Sequence, residues 1–256
     1  MLSEKFFSTD EDGDARQQVV WYDLGLQEYK RVWDFQEQLF ARVVQNKLKR
    51  REGNQTEPLH FLITCEHPHV FTIGRNGNEQ HLLISPQAMK ERGISYYRIN
   101  RGGDITYHGP GQLVCYPILD LDLFFTDIGR YLRLLEETVI GTLADFGVTA
   151  GRSAGATGVW LDANSPARAR KICAIGIRCS RWVTMHGLAF NVNTDLQFFR
   201  LIVPCGITNK GVTSLQKELG KEIPMEEVKK VWLRWFSKLF RVFPQPANQE
   251  VFHQYA

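Results

Sequence analysis

The chain of 256 residues carries 31 Lys and Arg against 28 Asp and Glu, a formal net charge of +3, and is 43% hydrophobic. That small surplus gives no ground for nucleic-acid binding, no apolar run approaches the roughly 20 residues of a membrane span, and the N-terminus lacks the basic-then-apolar signal pattern. Five cysteines, an odd number set mostly in apolar, strand-like surroundings, argue against a disulfide framework. The expectation is a cytoplasmic protein with reduced thiols: a flexible acidic tail over residues 1–16, then one domain over 17–256.

In chain order, residues 19–24 alternate weakly and favour a first strand. From Leu26 onward Tyr29, Val32, Trp33, Phe40, Val43 and Val44 recur at helical spacing, predicting a long amphipathic helix that ends near Arg51. The basic residues Lys47, Lys49, Arg50 and Arg51 at its end read as a solvated face favoured by the helix dipole. Residues 59–64 and 70–73 read as strands on either side of Cys65-Glu66-His67-Pro68-His69. Thiol, carboxylate and imidazole are all zinc-ligand types, but a strand or tight turn cannot aim three such close side chains at one ion, so no metal site is expected. Ser85-Pro86 predicts a capped short helix closed by Gly93, followed by a strand over 94–99.

Next comes Arg101-Gly102-Gly103-Asp104-Ile105-Thr106-Tyr107-His108-Gly109-Pro110-Gly111-Gln112, read as a loop between that strand and a buried one over 113–121. Its glycines let backbone amides approach a ligand, while Arg101, Thr106, Tyr107 and His108 supply a cation, a hydroxyl, a phenol and an imidazole. The competing reading is a tight surface crossover. Ile128, Tyr131, Leu132, Leu135, Val139, Leu143 and Phe146 mark a second long helix, closed by Gly147. Short strands are predicted over 148–150, 158–161, 171–179 and 183–192, with a hairpin turn over 162–170. Thr213-Ser214-Leu215-Gln216 resembles a capping box for a helix ending at Gly220, and Pro224 opens the last predicted helix. Strands mixed with flanking helices indicate an α/β fold with a mixed sheet.

Chemistry concentrates at two places. Cys205, between Pro204 and Gly206, sits at a sharp turn suited to presenting a thiol, which needs a positive charge or oriented amides to become thiolate. Lys171 opens the apolar run Ile172-Cys173-Ala174-Ile175-Gly176, so its ammonium would be partly desolvated. Charged, it would stabilise a thiolate; neutral, it could take a proton from the next attacking group. Cys173, two residues on and on the same face by strand period, is the rival nucleophile, although its apolar neighbours fit an inert thiol better. His186 and Asn191, in His186-Gly187-Leu188-Ala189-Phe190-Asn191-Val192, read either as part of a site or as a hydrogen-bonded structural pair.

These motifs, in this order and spacing, resemble the lipoyl(octanoyl) transferases of protein lipoylation over roughly residues 19–220. The resemblance implies the biotin/lipoate protein ligase-type fold and transfer of an octanoyl group from acyl carrier protein to a lipoyl-domain lysine. It makes Cys205 the acyl-thioester nucleophile and Lys171 the residue that lowers its pKa. The stretch Arg101 to His108, with Ala174, Ile175, Gly176, Gly187, Leu188 and Ala189, would wall the acyl pocket. Cys173 departs from the family, which more often has a smaller residue there. No cofactor or metal is implied. The acceptors would be the lipoyl domains of 2-oxoacid dehydrogenase E2 subunits and the glycine cleavage H protein; no nucleic acid or membrane is expected as partner, and a monomer is.

Three other readings compete. An ATP-dependent lipoate or biotin protein ligase on the same fold needs no cysteine; a cysteine hydrolase would release free acid; a lipoyl-domain binder would form no covalent adduct.

Overall fold

The structure, a computed structural model, describes residues 7–9, 15–165, 167–203 and 211–254. β1 (Phe7–Thr9) and β2 (Ala15–Leu26) lead into α1 (Tyr29–Arg51), whose Val32, Phe35, Leu39 and Val43 line one buried face. β3 (Phe61–Glu66) and β4 (Val70–Ile73) follow, then α2 (Pro86–Glu91), where the Ser85 hydroxyl accepts from the Ala88 amide. β5 (Ser95–Arg98), β6 (Ile105–His108) and β7 (Gln112–Ile118) precede α3 (Ile128–Asp145), capped by the Asp127 carboxylate. β8 (Gly151–Ser153), β9 (Ala156–Leu161), β10 (Arg170–Ser180) and β11 (Val183–Asn191) form an antiparallel meander. Last come β12 (Gly211–Val212), α4 (Leu215–Leu219), α5 (Met225–Phe240), β13 (Val242–Pro246) and α6 (Glu250–Gln254).

Two sheets result. The large one runs β1-β2-β3-β7-β11-β10-β9-β8, with β12 added beside β10 and β13 beside β2; the small one runs β5-β4-β6. Both are mixed, since β2 pairs with β3, β13 with β2, and β4 with β5 in parallel, while β3–β7, β7–β11 and β4–β6 are antiparallel. One face of the large sheet is covered by α1, through Phe35, Leu39, Ile63 and Val114. On the other face α3 and α5 bury Leu135, Val139, Trp232 and Phe236 against Leu62, Leu113, Ile172 and Leu188. The predicted α/β class with a mixed sheet therefore holds, and the sheet lies between two helical layers.

Several expectations change once the chain is folded. Phe7–Thr9, assigned to the loose tail, pairs antiparallel with the start of β2, while the acidic residues 10–14 lie outside the described residues. The strand expected over 148–150 forms instead at Gly151–Ser153. The short helix after β12 is capped by Ser214, whose hydroxyl accepts from the Lys217 amide, and not by Thr213, whose hydroxyl donates to Glu218 Oε1 at 2.5 Å. The helix expected to be last is followed by β13 and α6, because the chain returns to lay a parallel strand on β2.

The basic end of α1 is only partly a solvated face: Lys49 and Arg51 are exposed, but Lys47 and Arg50 enter an ion network. Lys47 is buried, with its Nζ 2.7 Å from Asp120 and 2.8 Å from Asp122; Arg50 also pairs with Asp120, and Arg51 with Asp122 at 2.7 Å. Buried Asp120 thus meets two cations contributed by one helix, the pairing that makes interior charge tolerable.

Candidate active site

The stretch read as a loop between Arg101 and Gln112 is partly strand. Residues 105–108 form β6, antiparallel to β4, and alternation along it separates neighbours. His108 faces a cavity of about 380 Å³, together with Arg101, Gly102, Gly103, Asp104, Ile105 and Thr106. Tyr107 does not: it packs with Phe71, Phe198 and Phe199, and its hydroxyl lies 2.7 Å from His69 Nδ1. Of the pocket residues expected from this stretch, Tyr107 is a core residue of the small sheet. The remaining expected walls come from β10, through Ala174, Ile175 and Gly176, and from β11, through Gly187, Leu188 and Ala189.

Two glycines explain why these walls can meet. A Cβ on Gly187 would stand 2.1 Å from the Cys115 carbonyl oxygen, and one on Gly176 would stand 2.8 Å from the Gly102 carbonyl oxygen. The Gly102 amide donates to Ile177 O at 2.8 Å, tying the glycine-rich stretch across β10. Any side chain at those two positions would push the walls apart.

Arg101 is nearly enclosed. Its Nη2 donates to Thr72 O at 2.8 Å and Thr72 Oγ1 at 3.0 Å, and its Nη1 donates to Gly102 O at 3.0 Å. Around it the imidazoles are neutral. Burial lowers the pKa of His108 and of His186 from 6.5 to about 3, with the Arg101 guanidinium adding to the effect at both. Behind them, His67 donates from Nδ1 to Gln27 O at 2.7 Å, so its Nε2 accepts from the Tyr116 hydroxyl at 2.9 Å. Asn100 spends its amide N–H on Glu37, which leaves its carbonyl oxygen to accept from His186 Nε2 at 2.8 Å. His186 and Asn191 are consequently not a pair, because Asn191 bonds Gln112 and Thr213.

Lys171 lines the same cavity. Its Nζ donates to Thr157 O at 3.3 Å and lies 4.7 Å from the centre of the Trp160 ring. The expectation that Cys173 shares its face fails. The β9–β10 register shifts between Lys171 and Cys173, and this bulge turns Ile172 and Cys173 together into the core under α3. Burial raises the Cys173 thiol far above its ordinary range, which makes it an inert thiol rather than a nucleophile. Cys205 lies outside the described residues. The chain on its far side is placed: Val212 in β12 pairs with Lys171 in parallel register, and the Thr213 amide donates to Lys171 O at 3.0 Å.

Sequence reasoning missed Tyr29, Tyr116, Leu132 and residues 155–157 as wall residues. Tyr29 belonged to an apolar helical stripe, and only its stacking on His108, at 5.7 Å and 14°, distinguishes it from core. For 155–157 no local pattern could have served. Among the described residues no group of three or more His, Cys, Asp or Glu side chains is arranged to hold a metal ion.

The cavity lies over the paired strands β10 and β11 of the mixed sheet, with a lysine in its wall and a glycine-rich stretch across it, a place where an apolar group and an amine can meet. Solved structures share the fold: lipoate-protein ligase A bound with ATP (TM-score 0.69, 18% identity, 93% of this chain and 91% of that one) and a bi-partite lipoate protein ligase from Thermoplasma acidophilum (0.69, 18%, 93% and 90%). The chain belongs to the lipoyl protein ligase A/B catalytic domain family, which matches residues 28–237. Its relatives include the octanoyltransferases of Cytophaga hutchinsonii, 54% identical over 227 residues (88% of this chain, 93% of that one), and Christiangramia forsetii, 57% over 221 residues (86% and 94%). It is an octanoyl-transferring enzyme of protein lipoylation.

Proposed function

We propose that the octanoyl group leaves the thiol of acyl carrier protein, rests on Cys205 as a thioester, and passes to the ε-amine of a lysine on a lipoyl domain. In the first step the Cys205 thiolate attacks the donor thioester; a new C–S bond forms, and the donor thiolate departs and takes a proton from the Lys171 ammonium. In the second the acceptor amine attacks, the now neutral Lys171 takes its proton, and the Cys205 thiolate is released. The exchange between thiols is nearly balanced and the aminolysis runs downhill, so no ATP is required.

The observation that carries this reading is the half-buried ammonium of Lys171 in the wall of a largely apolar cavity, beside the strand that follows Cys205. A charge so placed stabilises a thiolate, and once its proton has passed to the departing donor thiolate the neutral amine can act as base. Arg101 to Asp104, Ala174 to Gly176 and Gly187 to Ala189 are then the walls of the acyl slot. A cytoplasmic setting accords with the four described cysteines, all free thiols, and with the lack of any described helix long and apolar enough to cross a membrane.

Intact-protein mass spectrometry after incubation with octanoyl carrier protein tests the proposal. One octanoyl group should appear on Cys205, be absent in Cys205→Ser, and be chased off by a lipoyl domain. ATP-dependent use of free octanoate with Cys205→Ala fully active would assign the ligase reaction instead.

A further inference from the structure

Glu136 is a buried carboxylate in the middle of α3 that the transfer chemistry above does not use. Its two oxygens have separate tasks. Oε2 lies 2.7 Å from Arg133 and 3.0 Å from Arg152, whose side chains are 47% and 36% exposed. Oε1 reaches past them to accept from the backbone amide of Gly158 at 2.9 Å, and the carboxylate as a whole is shut off from solvent. Since surface arginines can satisfy themselves in water, the contact with Gly158 is what requires this side chain to be inside.

Gly158 lies in the segment that the Lys171 ammonium contacts. Its φ of +122° is open to glycine alone, and a Cβ there would stand 2.5 Å from the Cys173 carbonyl oxygen. The peptide carbonyl preceding the Gly158 amide is that of Thr157, which accepts from the Lys171 ammonium. Amide and carbonyl belong to one planar peptide unit, so a bond to the N–H sets where the C=O points. The Trp160 ring beside the same ammonium is tied back into the segment, its Nε1 donating to Ala156 O at 3.1 Å. The β9–β10 bulge lies at this level and removes the regular register that would otherwise place the peptide.

We propose that Glu136 is a positioning residue for Lys171: by holding the 157–158 peptide it aims the Thr157 carbonyl at the ammonium and keeps the amine directed into the acyl slot. The inference rests on the reading that Lys171 takes part in the transfer. The negative charge of Glu136 is secondary to its acceptor oxygen.

Two substitutions separate those roles. Glu136→Gln keeps an acceptor oxygen at the same reach but loses the charge; Glu136→Asp keeps the charge but withdraws the oxygen by one methylene. The readout is the rate of octanoyl adduct formation on Cys205 at saturating donor, alone and in a Lys171→Ala background. Glu136→Gln should stay within about threefold of wild type, and Glu136→Asp should slow adduct formation about tenfold. With Lys171 removed, Glu136→Asp should cost nothing further. The reverse order, Gln slow and Asp normal, overturns the proposal, as does an equal cost of Glu136→Asp in both backgrounds. A Lys171→Ala enzyme with wild-type rate would instead remove the underlying reading. Should the Lys171→Ala rate be too low to follow, the order of the Gln and Asp variants decides by itself.

Discussion

Among the described residues Arg101 and Lys171 are the cations that line the cavity, and they are held in opposite ways. Arg101 is almost wholly buried and spends its fork on the Thr72 carbonyl and hydroxyl and the Gly102 carbonyl, joining the small sheet to the glycine-rich stretch. Lys171 is half-buried, and its contacts include the Thr157 carbonyl at 3.3 Å and the face of the Trp160 indole. A guanidinium keeps its proton throughout the accessible pH range, whereas an ammonium on a flexible stem can give its proton up. Arg101 is thus a structural charge that adds to the effect of burial on the imidazoles around it, whereas Lys171 is the cation to which the proposed reaction gives the proton transfer.

Replacing the amine by a guanidinium is the strongest way to break that contrast. Lys171→Arg keeps the charge but removes the base, and transfer should fall by about 10²-fold or more, close to the loss in Lys171→Ala, with little change in Tm. Near-normal turnover in Lys171→Arg would mean that charge alone suffices.

At the other cation the damage should appear in stability. Arg101→Met leaves the buried Thr72 carbonyl without its donor and should cost about 2 kcal/mol in denaturant melts; it should also let His108 and His186 titrate at higher pH, since the guanidinium is one cause of their depression. An unchanged melt would show that the fork is dispensable.

The tight approach of the walls gives a comparable effect from a smaller change. Gly187→Ala forces a methyl against the Cys115 carbonyl and should destabilise by about 1–3 kcal/mol, whereas Gly151→Ala, with nothing within 4 Å of the new methyl, should be nearly silent. Equal melts for the two would contradict the crowding.

The gentlest test is acid. Burial depresses His60, His67, His108 and His186 from 6.5 to about 3, 4, 3 and 3. Below 6.5 the unfolded chain therefore binds more protons than the native one. The stabilisation is full above that pH and is withdrawn as pH falls toward 3. Tm should drop between pH 6.5 and 4, less steeply in His186→Gln; a Tm flat across this window would show that the imidazoles are not held neutral.

Local features of the sequence went far. Apolar recurrence located α1 and α3, Ser85 and Pro86 marked the start of α2 and Pro224 that of α5, and the glycines of the 101–112 stretch pointed to backbone open to close approach, because each signal is written within one or two turns of chain. The resemblance built on those motifs agrees with the family to which the chain belongs.

Other features were decided by distant partners. Whether Tyr107 or His108 faces the cavity depends on the register of β6 against β4, and the bulge that buries Cys173 is a mismatch between β10 and β9. Lys47 is a surface charge until Asp120 is brought beside it, and Glu136 is one more helical carboxylate until Gly158 folds onto α3. Sequence by itself settled which residues could form strands, helices and close turns, since torsional preference and periodicity are local. Only the tertiary structure settled which side chains share a cavity and which charges are buried, since register and desolvation arise from contacts between parts of the chain that know nothing of each other in sequence.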